Sequence, residues 1–253
     1  MALLDVQHLG MRFGGLQANV NISFQVERGE MVGLIGPNGA GKSTLFNCLA
    51  GVHNPTEGRI LFKDRDVTGS RPYAMARMGL ARTFQVYVAT GDLNVIENIM
   101  VGGFMRSRSP RVSREKAESL ADKMNLAGLA QERVANLPVA AQKRVTMATA
   151  LATAPDLLLL DEVAAGLNPS EIEQMIDLIR WVHHDLKVTI LLIEHVMELV
   201  MKLSHRVLVL DSGRLIAEGE PAAVSRSPEV IKAYLGERYA AEQRGDIGPR
   251  TSV

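Results

Sequence analysis

The sequence predicts an α/β fold with a mostly parallel sheet, an antiparallel β layer at the N-terminus and a helical lobe inserted into the core. Three observations predict it. Met31-Val32-Gly33-Leu34-Ile35, Leu157-Leu158-Leu159-Leu160, Val188-Thr189-Ile190-Leu191-Leu192-Ile193 and Arg206-Val207-Leu208-Val209-Leu210 are apolar runs of strand length, as expected for strands buried on both faces. Leu3 to Leu9 and Val20 to Val26 instead alternate as half-buried strands do, with Arg12-Phe13-Gly14-Gly15 in the bend between them. From Asp92 to about Ala154 the pattern turns helical.

The remaining elements follow the same signals. Glu57 to Lys63 reads as a strand, Pro72 to Met78 as a short helix and Leu80 to Phe84 as a short strand. Asp92 is placed to cap a helix over Leu93 to Val101, and Ser113 to cap a charged helix over Arg114 to Met124. Pro169 to Asp185 and Val196 to Leu203 are the crossover helices, whereas the segment after Gly236 is polar and aperiodic. The expected organisation is one domain over 1–236, with a helical lobe at about 86–154, and a flexible tail over 237–253.

Bulk composition excludes several classes. The chain has 253 residues, and its 47% apolar content supports a substantial core. Lys plus Arg and Asp plus Glu are both 28, so no global basic excess points to nucleic acid. The densest basic stretch, Arg106-Ser107-Arg108-Ser109-Pro110-Arg111, lacks interleaved aromatics and reads as a solvated loop. The single cysteine, Cys48, rules out an intrachain disulfide and suits a buried apolar role in a reducing compartment. No apolar run approaches the roughly 20 residues of a spanning helix, so at a membrane another component would hold the protein.

The chemistry begins at Gly36-Pro37-Asn38-Gly39-Ala40-Gly41-Lys42-Ser43-Thr44, which fits G-x-x-x-x-G-K-[ST] between a buried strand and the helical stretch from Leu45 to Ala50. This is the phosphate loop of a P-loop NTPase core. Its glycines let successive N–H groups face one phosphate, and the helix N-terminus adds its positive end. Lys42 would reach the outer phosphates of ATP, and Ser43 would ligate Mg²⁺.

Asp161 and Glu162 close an apolar strand at the carboxyl edge of the sheet, where open α/β folds bind ligands. Asp161 suits a Mg²⁺ held through water, and Glu162 can polarise a water for in-line attack on the γ-phosphate. A second apolar strand delivers His195 to the same edge, as a γ-phosphate contact. His183 and His184 lie on a helix and read as surface residues. Gln85, after Thr83-Phe84, can both accept from a metal-bound water and sense the phosphate. Phe13 is either a platform for an adenine face or a plain core side chain.

In this order the pieces resemble the nucleotide-binding subunit of ATP-binding cassette (ABC) transporters along nearly the whole chain. The resemblance implies Walker A at 36–44, the Q-loop at Gln85 and Walker B at Leu157 to Asp161. It also implies the catalytic glutamate at Glu162, the D-loop at Ala165-Gly166-Leu167-Asn168-Pro169, the switch histidine at His195 and the aromatic A-loop position at Phe13. Arg12-Phe13-Gly14-Gly15-Leu16, Asn94-Val95-Ile96-Glu97-Asn98, Ala164 to Pro169 and the ending Pro228 to Gly236 look like the branched-chain amino-acid importer ATPases, whose relatives serve urea, short amides and aromatic acids.

One motif departs from the family. The signature, L-S-G-G-Q or a variant, should open the helix before Walker B; here the segment reads Leu137-Pro138-Val139-Ala140-Ala141-Gln142. In the family that serine and those glycines close on the γ-phosphate held by the other subunit of a dimer. Pro138 brings neither hydroxyl nor N–H, and Ala140 adds a Cβ where a glycine allows close approach. Losing one or two charge-assisted hydrogen bonds, about 1.5–3 kcal/mol each, would slow the affected site ten- to thousand-fold. Val163 and Thr149 replace the family's usual proline and arginine nearby.

The resemblance therefore implies an ATP-hydrolysing importer subunit on the cytoplasmic face of the membrane, beneath permease subunits and served by a solute-binding protein. A heterodimer with a second, related ATPase is expected over a homodimer. The competing readings are a regulatory subunit that binds ATP with little turnover, a lipid or lipopolysaccharide exporter ATPase, and a soluble ABC ATPase acting on nucleic acid.

Overall fold

The N-terminal layer begins with β1 (Ala2–Phe13), which turns at Gly14-Gly15 into β2 (Leu16–Glu27), and β3 (Met31–Ile35) then enters the second sheet. The computed structural model describes residues 2–83 and 92–234. After the phosphate loop come α1 (Lys42–Leu49), the hairpin of β4 (Glu57–Phe62) and β5 (Arg65–Asp66), α2 (Pro72–Met78) and β6 (Leu80–Arg82). The lobe holds α3 (Val95–Gly103), α4 (Pro110–Lys123) and α5 (Val139–Ala152). The chain then returns through β7 (Leu157–Asp161), α6 (Pro169–His184), β8 (Thr189–Ile193), α7 (Met197–Leu203), β9 (Arg206–Asp211), β10 (Arg214–Gly219) and α8 (Pro221–Val224).

Two sheets result. The first is antiparallel in the order β2-β1-β4-β5, and the second runs β10-β9-β3-β8-β7-β6, parallel except for its β10 edge. Period-two alternation divides each central strand between two cores. Met31, Leu158, Leu160, Ile190, Leu192, Val207 and Val209 face α3 to α7, whereas Val32, Leu34, Leu157, Leu159, Leu191, Ile193, Leu208 and Leu210 face α1 and the antiparallel layer. The parallel strands therefore read as continuous apolar runs because neither face meets water.

Several expected boundaries shift for identifiable reasons. Asn94, not Asp92, caps α3: its Oδ1 accepts from the Glu97 N–H at 2.9 Å and the Glu97 carboxylate accepts from the Asn94 N–H at 2.9 Å. That reciprocal capping box outweighs a lone Asp two residues earlier. Ser109, not Ser113, caps α4, because Pro110 is best placed in the first turn. Ser113 is buried instead, its hydroxyl donating to the Ser107 carbonyl at 3.4 Å.

The basic stretch is not simply solvated. Pro110 and Arg111 open α4, and the Arg106 guanidinium donates to the carbonyls of Thr153 at 2.5 Å, Arg77 at 3.2 Å and Ala154 at 3.3 Å. It thus satisfies carbonyls at and just beyond the C-cap of α5. His183 is likewise no surface residue. It follows Ile179 by one turn on the inward face of α6, its Nδ1 lies 3.1 Å from the Val188 carbonyl, and its ring packs 5.0 Å from His184 and 5.3 Å from His205. Burial lowers the His183 pKa against the Val188 hydrogen bond that raises it. His184 is exposed. Cys48 is buried as expected, its thiol pushed up to about 11 by desolvation.

Candidate nucleotide site

The phosphate loop is shaped by backbone that other residues cannot adopt. Gly36 and Gly41 have φ of 152° and 97°, and a Cβ would stand 2.0 Å from the Leu210 carbonyl oxygen at the first and 2.3 Å from the Ala18 carbonyl oxygen at the second. Neighbouring strands brace the loop. Asn19 Nδ2 donates to the Gly41 carbonyl at 3.1 Å, and Gly213 N–H donates to the Ala40 carbonyl at 3.0 Å. The N-cap of α1, Gly41, provides no side-chain acceptor, so the first-turn N–H groups face the cleft as an anion site.

Lys42 opens α1 and folds back onto the loop. Its Nζ donates to the carbonyls of Gly36 at 2.7 Å and Pro37 at 3.0 Å. Burial lowers the Lys42 pKa, and the carboxylates of Glu162 and Asp161 oppose that shift. Engaging a phosphate therefore means exchanging these two carbonyl partners for anionic ones.

Asp161 and Glu162 leave β7 beside the end of β8, where Asp161 pairs with Ile193 in register. That adjacency brings His195 to the same edge. His195 Nε2 lies 2.7 Å from Glu162 Oε1, so a neutral ring donates its Nε2–H to the carboxylate. Glu162 has φ of 49°, a left-handed conformation that costs a non-glycine residue about 1–2 kcal/mol. The Glu162 N–H donates to the Ile193 carbonyl at 2.9 Å.

Asp161 has a partner that sequence reasoning missed. Arg82 donates to Asp161 Oδ2 at 2.7 Å and to Asn47 Oδ1 at 2.5 Å, both guanidinium and carboxylate being buried. Asp161 Oδ1, also buried, has no hydrogen-bond partner among the described residues. A buried carboxylate oxygen without a hydrogen-bond partner is what a hard cation with oxygen ligands requires. Among the described residues no group of three or more His, Cys, Asp or Glu could hold a metal.

These residues line one cleft of about 540 Å³, from Phe13 and Leu16 through Asn38 to Thr44, to Glu162, His195, Ser212 and Gly213. Phe13 ends β1 at 44% exposure and meets His53 edge-on at 5.4 Å, so it is no core side chain. Gln85 lies outside the described residues. The Pro138 to Ala141 segment opens α5 without a side-chain cap, and Gln142 Nε2 donates to the Leu137 carbonyl at 2.9 Å. Ala140 and Ala141 are buried while Pro138 and Val139 are exposed, so the outward change is carried by Pro138 and Val139 rather than by the Ala140 methyl.

Three further residues touch this machinery. Lys143 Nζ donates to the Glu162 carbonyl at 2.7 Å, and Glu194 Oε1 accepts from the Ala164 N–H at 2.9 Å. Tyr234 accepts from the Gly36 N–H, a bond that opposes the upward push of burial on its phenol. Arg82 had a readable signal, a cation ending a short strand of a buried sheet. Lys143 had none, because Lys143-Arg144 looks like any polar helix face.

The ABC transporter family matches residues 20–165, and a C-terminal family described as "Branched-chain amino acid ATP-binding cassette transporter" matches residues 214–240. The chain belongs to the ABC transporter ATPases. It is 40% identical over 250 residues to the "High-affinity branched-chain amino acid transport ATP-binding protein LivG" of Escherichia coli, covering 93% of this chain and 98% of that one. It is 38% identical over 250 residues to the corresponding protein BraF of Pseudomonas aeruginosa, again covering 93% and 98%. A nucleotide-free ATP-binding cassette from an ABC transporter superposes with a TM-score of 0.85 at 29% identity, covering 94% of this chain and all of that one. An ADP conformation of such a cassette gives 0.84 at 30% identity, with 94% and 100% covered. This ABC cassette is thus an ATPase with an adenine nucleotide as ligand, and the fold expected from its sequence is the one observed.

Proposed function

We propose that this ABC ATPase hydrolyses MgATP to drive an importer for branched-chain amino acids or a related small polar solute. The observation that carries the reading is the Glu162–His195 contact of 2.7 Å at the rim of the phosphate-loop cleft, which supports Glu162 as proton acceptor and His195 as hydrogen-bond donor toward the γ-phosphate. The solute class rests on the names of the relatives and on the C-terminal match over 214–240.

In this reading the N–H groups of 39–44 cradle the phosphates, and Lys42 trades its loop carbonyls for phosphate oxygens. Ser43 and Asp161, with Gln85, would hold Mg²⁺, whose charge offsets that of the phosphate oxygens. Glu162 accepts a proton from the attacking water as its oxygen bonds to the γ-phosphorus and the bond to the β-phosphate oxygen breaks. His195 then donates from Nε2 to a γ-oxygen instead of to Glu162, and Phe13 stacks on adenine. Residues 1–236 act as one ATPase domain and 237–253 as its tail.

The altered start of α5 favours a heterodimer. Pro138 would serve a partner's ATP poorly, while this chain's sequence keeps Lys42, Gln85, Glu162 and His195 and would need only a good signature from a related ATPase. A permease would dock in the groove of about 350 Å³ lined by Tyr73, Arg77, Val101 and Phe104, at the cytoplasmic face of the membrane. Among the described residues no helix is long and apolar enough to cross that membrane itself. The same Pro138 supports a second reading, an ATP-binding subunit with little turnover.

Loss of the gene should abolish high-affinity uptake of labelled leucine, isoleucine and valine; unchanged uptake of all three overturns the solute assignment. The purified chain alone should bind ATP but release phosphate slowly, and should accelerate with a related ATPase. Turnover equal to that of ordinary cassettes without a partner overturns the heterodimer.

A further inference from the structure

The turn that follows β7 is gripped at three main-chain atoms from two parts of the chain, α5 and the end of β8. Its Glu162 N–H is held by the Ile193 carbonyl at the end of β8, its Glu162 carbonyl by Lys143 from α5, and its Ala164 N–H by the Glu194 carboxylate. The last two are side-chain bonds of 2.7 and 2.9 Å, and Glu194 is 1% exposed. Nothing in the mechanism above uses either residue.

The grip matters because the conformation it holds is unfavourable alone. Glu162 sits at φ 49°, and in that conformation its carboxylate is set on His195 at 2.7 Å. Residues forced into sparsely populated backbone regions persist when their surroundings over-determine them. Lys143 also lies one turn beyond Val139 on the same face of α5, and Val139 Cγ1 stands 4.0 Å from the Cβ position of Gly166 in the same turn. The start of α5 therefore lies close to the turn of Glu162 and is bonded to it through Lys143.

We propose that Lys143 and Glu194 are positioning residues that clamp the 162–164 turn, and that Lys143 ties the chain's own Glu162 to the position of its own α5. On this account α5 has a duty toward the site of its own subunit that survives the alteration at Pro138. A closing partner that presses on Val139 would move Glu162 through Lys143. Burial depresses the Lys143 pKa while the carboxylates of Glu194, Glu162 and Asp161 counter it, consistent with an ammonium held inside an acidic cluster.

The inference rests on the role given to Glu162 above, so its test uses two independent readouts on the full chain. Steady-state ATPase kinetics are measured for wild type, Lys143→Met, Lys143→Arg and Glu162→Gln, and hydrogen exchange is followed in the peptide spanning 162–167. Lys143→Met should lower kcat about tenfold to a hundredfold with KM for MgATP within about twofold, since misplacement by about 1 Å is enough. Exchange at 162–167 should quicken while α5 stays protected, and Lys143→Arg should recover both. Glu194→Ala should quicken the same peptide.

Wild-type exchange in Lys143→Met overturns the clamp whatever the turnover. So does a kcat loss matched by KM, or an Arg variant no better than Met. If wild-type turnover is insensitive to Glu162→Gln, the catalytic role of Glu162 fails, and the exchange data still decide the clamp.

Discussion

At the carboxyl edge of the parallel sheet, Lys42, Glu162 and His195 line one cleft, and the neighbouring Asp161 keeps a buried oxygen without a hydrogen-bond partner among the described residues. At the start of α5, Pro138 offers neither hydroxyl nor N–H and Val139 presents an isopropyl group to solvent. The first region is an assembled site with polar groups converging on it; the second is a helix start that has kept its fold. The contrast teaches that the two surfaces answer to different requirements. In the proposed reading one serves the chain's own ATP, and the other would serve a partner's.

The sharpest way to break this contrast is at Glu162. Glu162→Gln should lower phosphate release about 10³-fold while a fluorescent ATP analogue binds within a few-fold of wild type. Equal turnover would mean that the acid beside His195 is not the proton acceptor. Lys42→Ala should weaken that analogue's binding about 10–100-fold, through loss of charge-assisted phosphate contacts, as read by titration. Affinity unchanged would place the phosphates elsewhere.

Repairing the other region is a smaller, opposite effect. Pro138→Ser with Val139→Gly should raise the turnover of the chain alone about tenfold without changing the affinity of its own loop. A rise in affinity instead would show that α5 acts on its own cleft through binding.

The smallest effect controls for global stability. Burial alone would raise the pKa of Glu30, but hydrogen bonds from Arg206 at 2.9 and 3.1 Å and from the Glu27 N–H carry it below 4.5. A depressed carboxyl lends stability above its unfolded pKa and loses it as the pH falls through the folded value. Glu30→Gln should therefore cost about 1 kcal/mol at pH 7, after allowance for solvent screening, and remove part of the acid sensitivity below pH 4.5. Thermal melts at pH 3.5 and 7 would check both, and nucleotide affinity at pH 7 should not move.

Legibility followed how local each signal was. The parallel strands were readable because burial on both faces leaves apolar runs, and the phosphate loop because its geometry needs glycines at fixed spacing. The convergence of Glu162 on His195 was readable only as two strand ends sharing an edge, the in-register pairing of Asp161 with Ile193 supplying the contact. The α3 cap was expected at Asp92 from an isolated acid, whereas Asn94 and Glu97, at capping-box spacing, carry it. Lys143 and Arg82 were not assigned, because each acts on a partner fixed by tertiary packing: Lys143 on a carbonyl 19 residues away and Arg82 on a carboxylate 79 residues away. His183 was misread because period-three-to-four faces have edges, and a histidine at such an edge can fall inward.

The strand order of the larger sheet has a consequence for biosynthesis. β3 carries the phosphate loop from the first fifth of the chain, yet both its neighbours, β8 and β9, come from the last third, with Val32 paired to Leu191 and Arg206. The Gly36 Cα closes against the Leu210 carbonyl, and the Ala40 carbonyl accepts from the Gly213 N–H. During synthesis the loop leaves the ribosome long before the strands that shape it, so these non-local pairings form late. A nascent chain stalled before residue 206 holds every residue of the glycine-rich motif and still lacks the walls that make it a pocket.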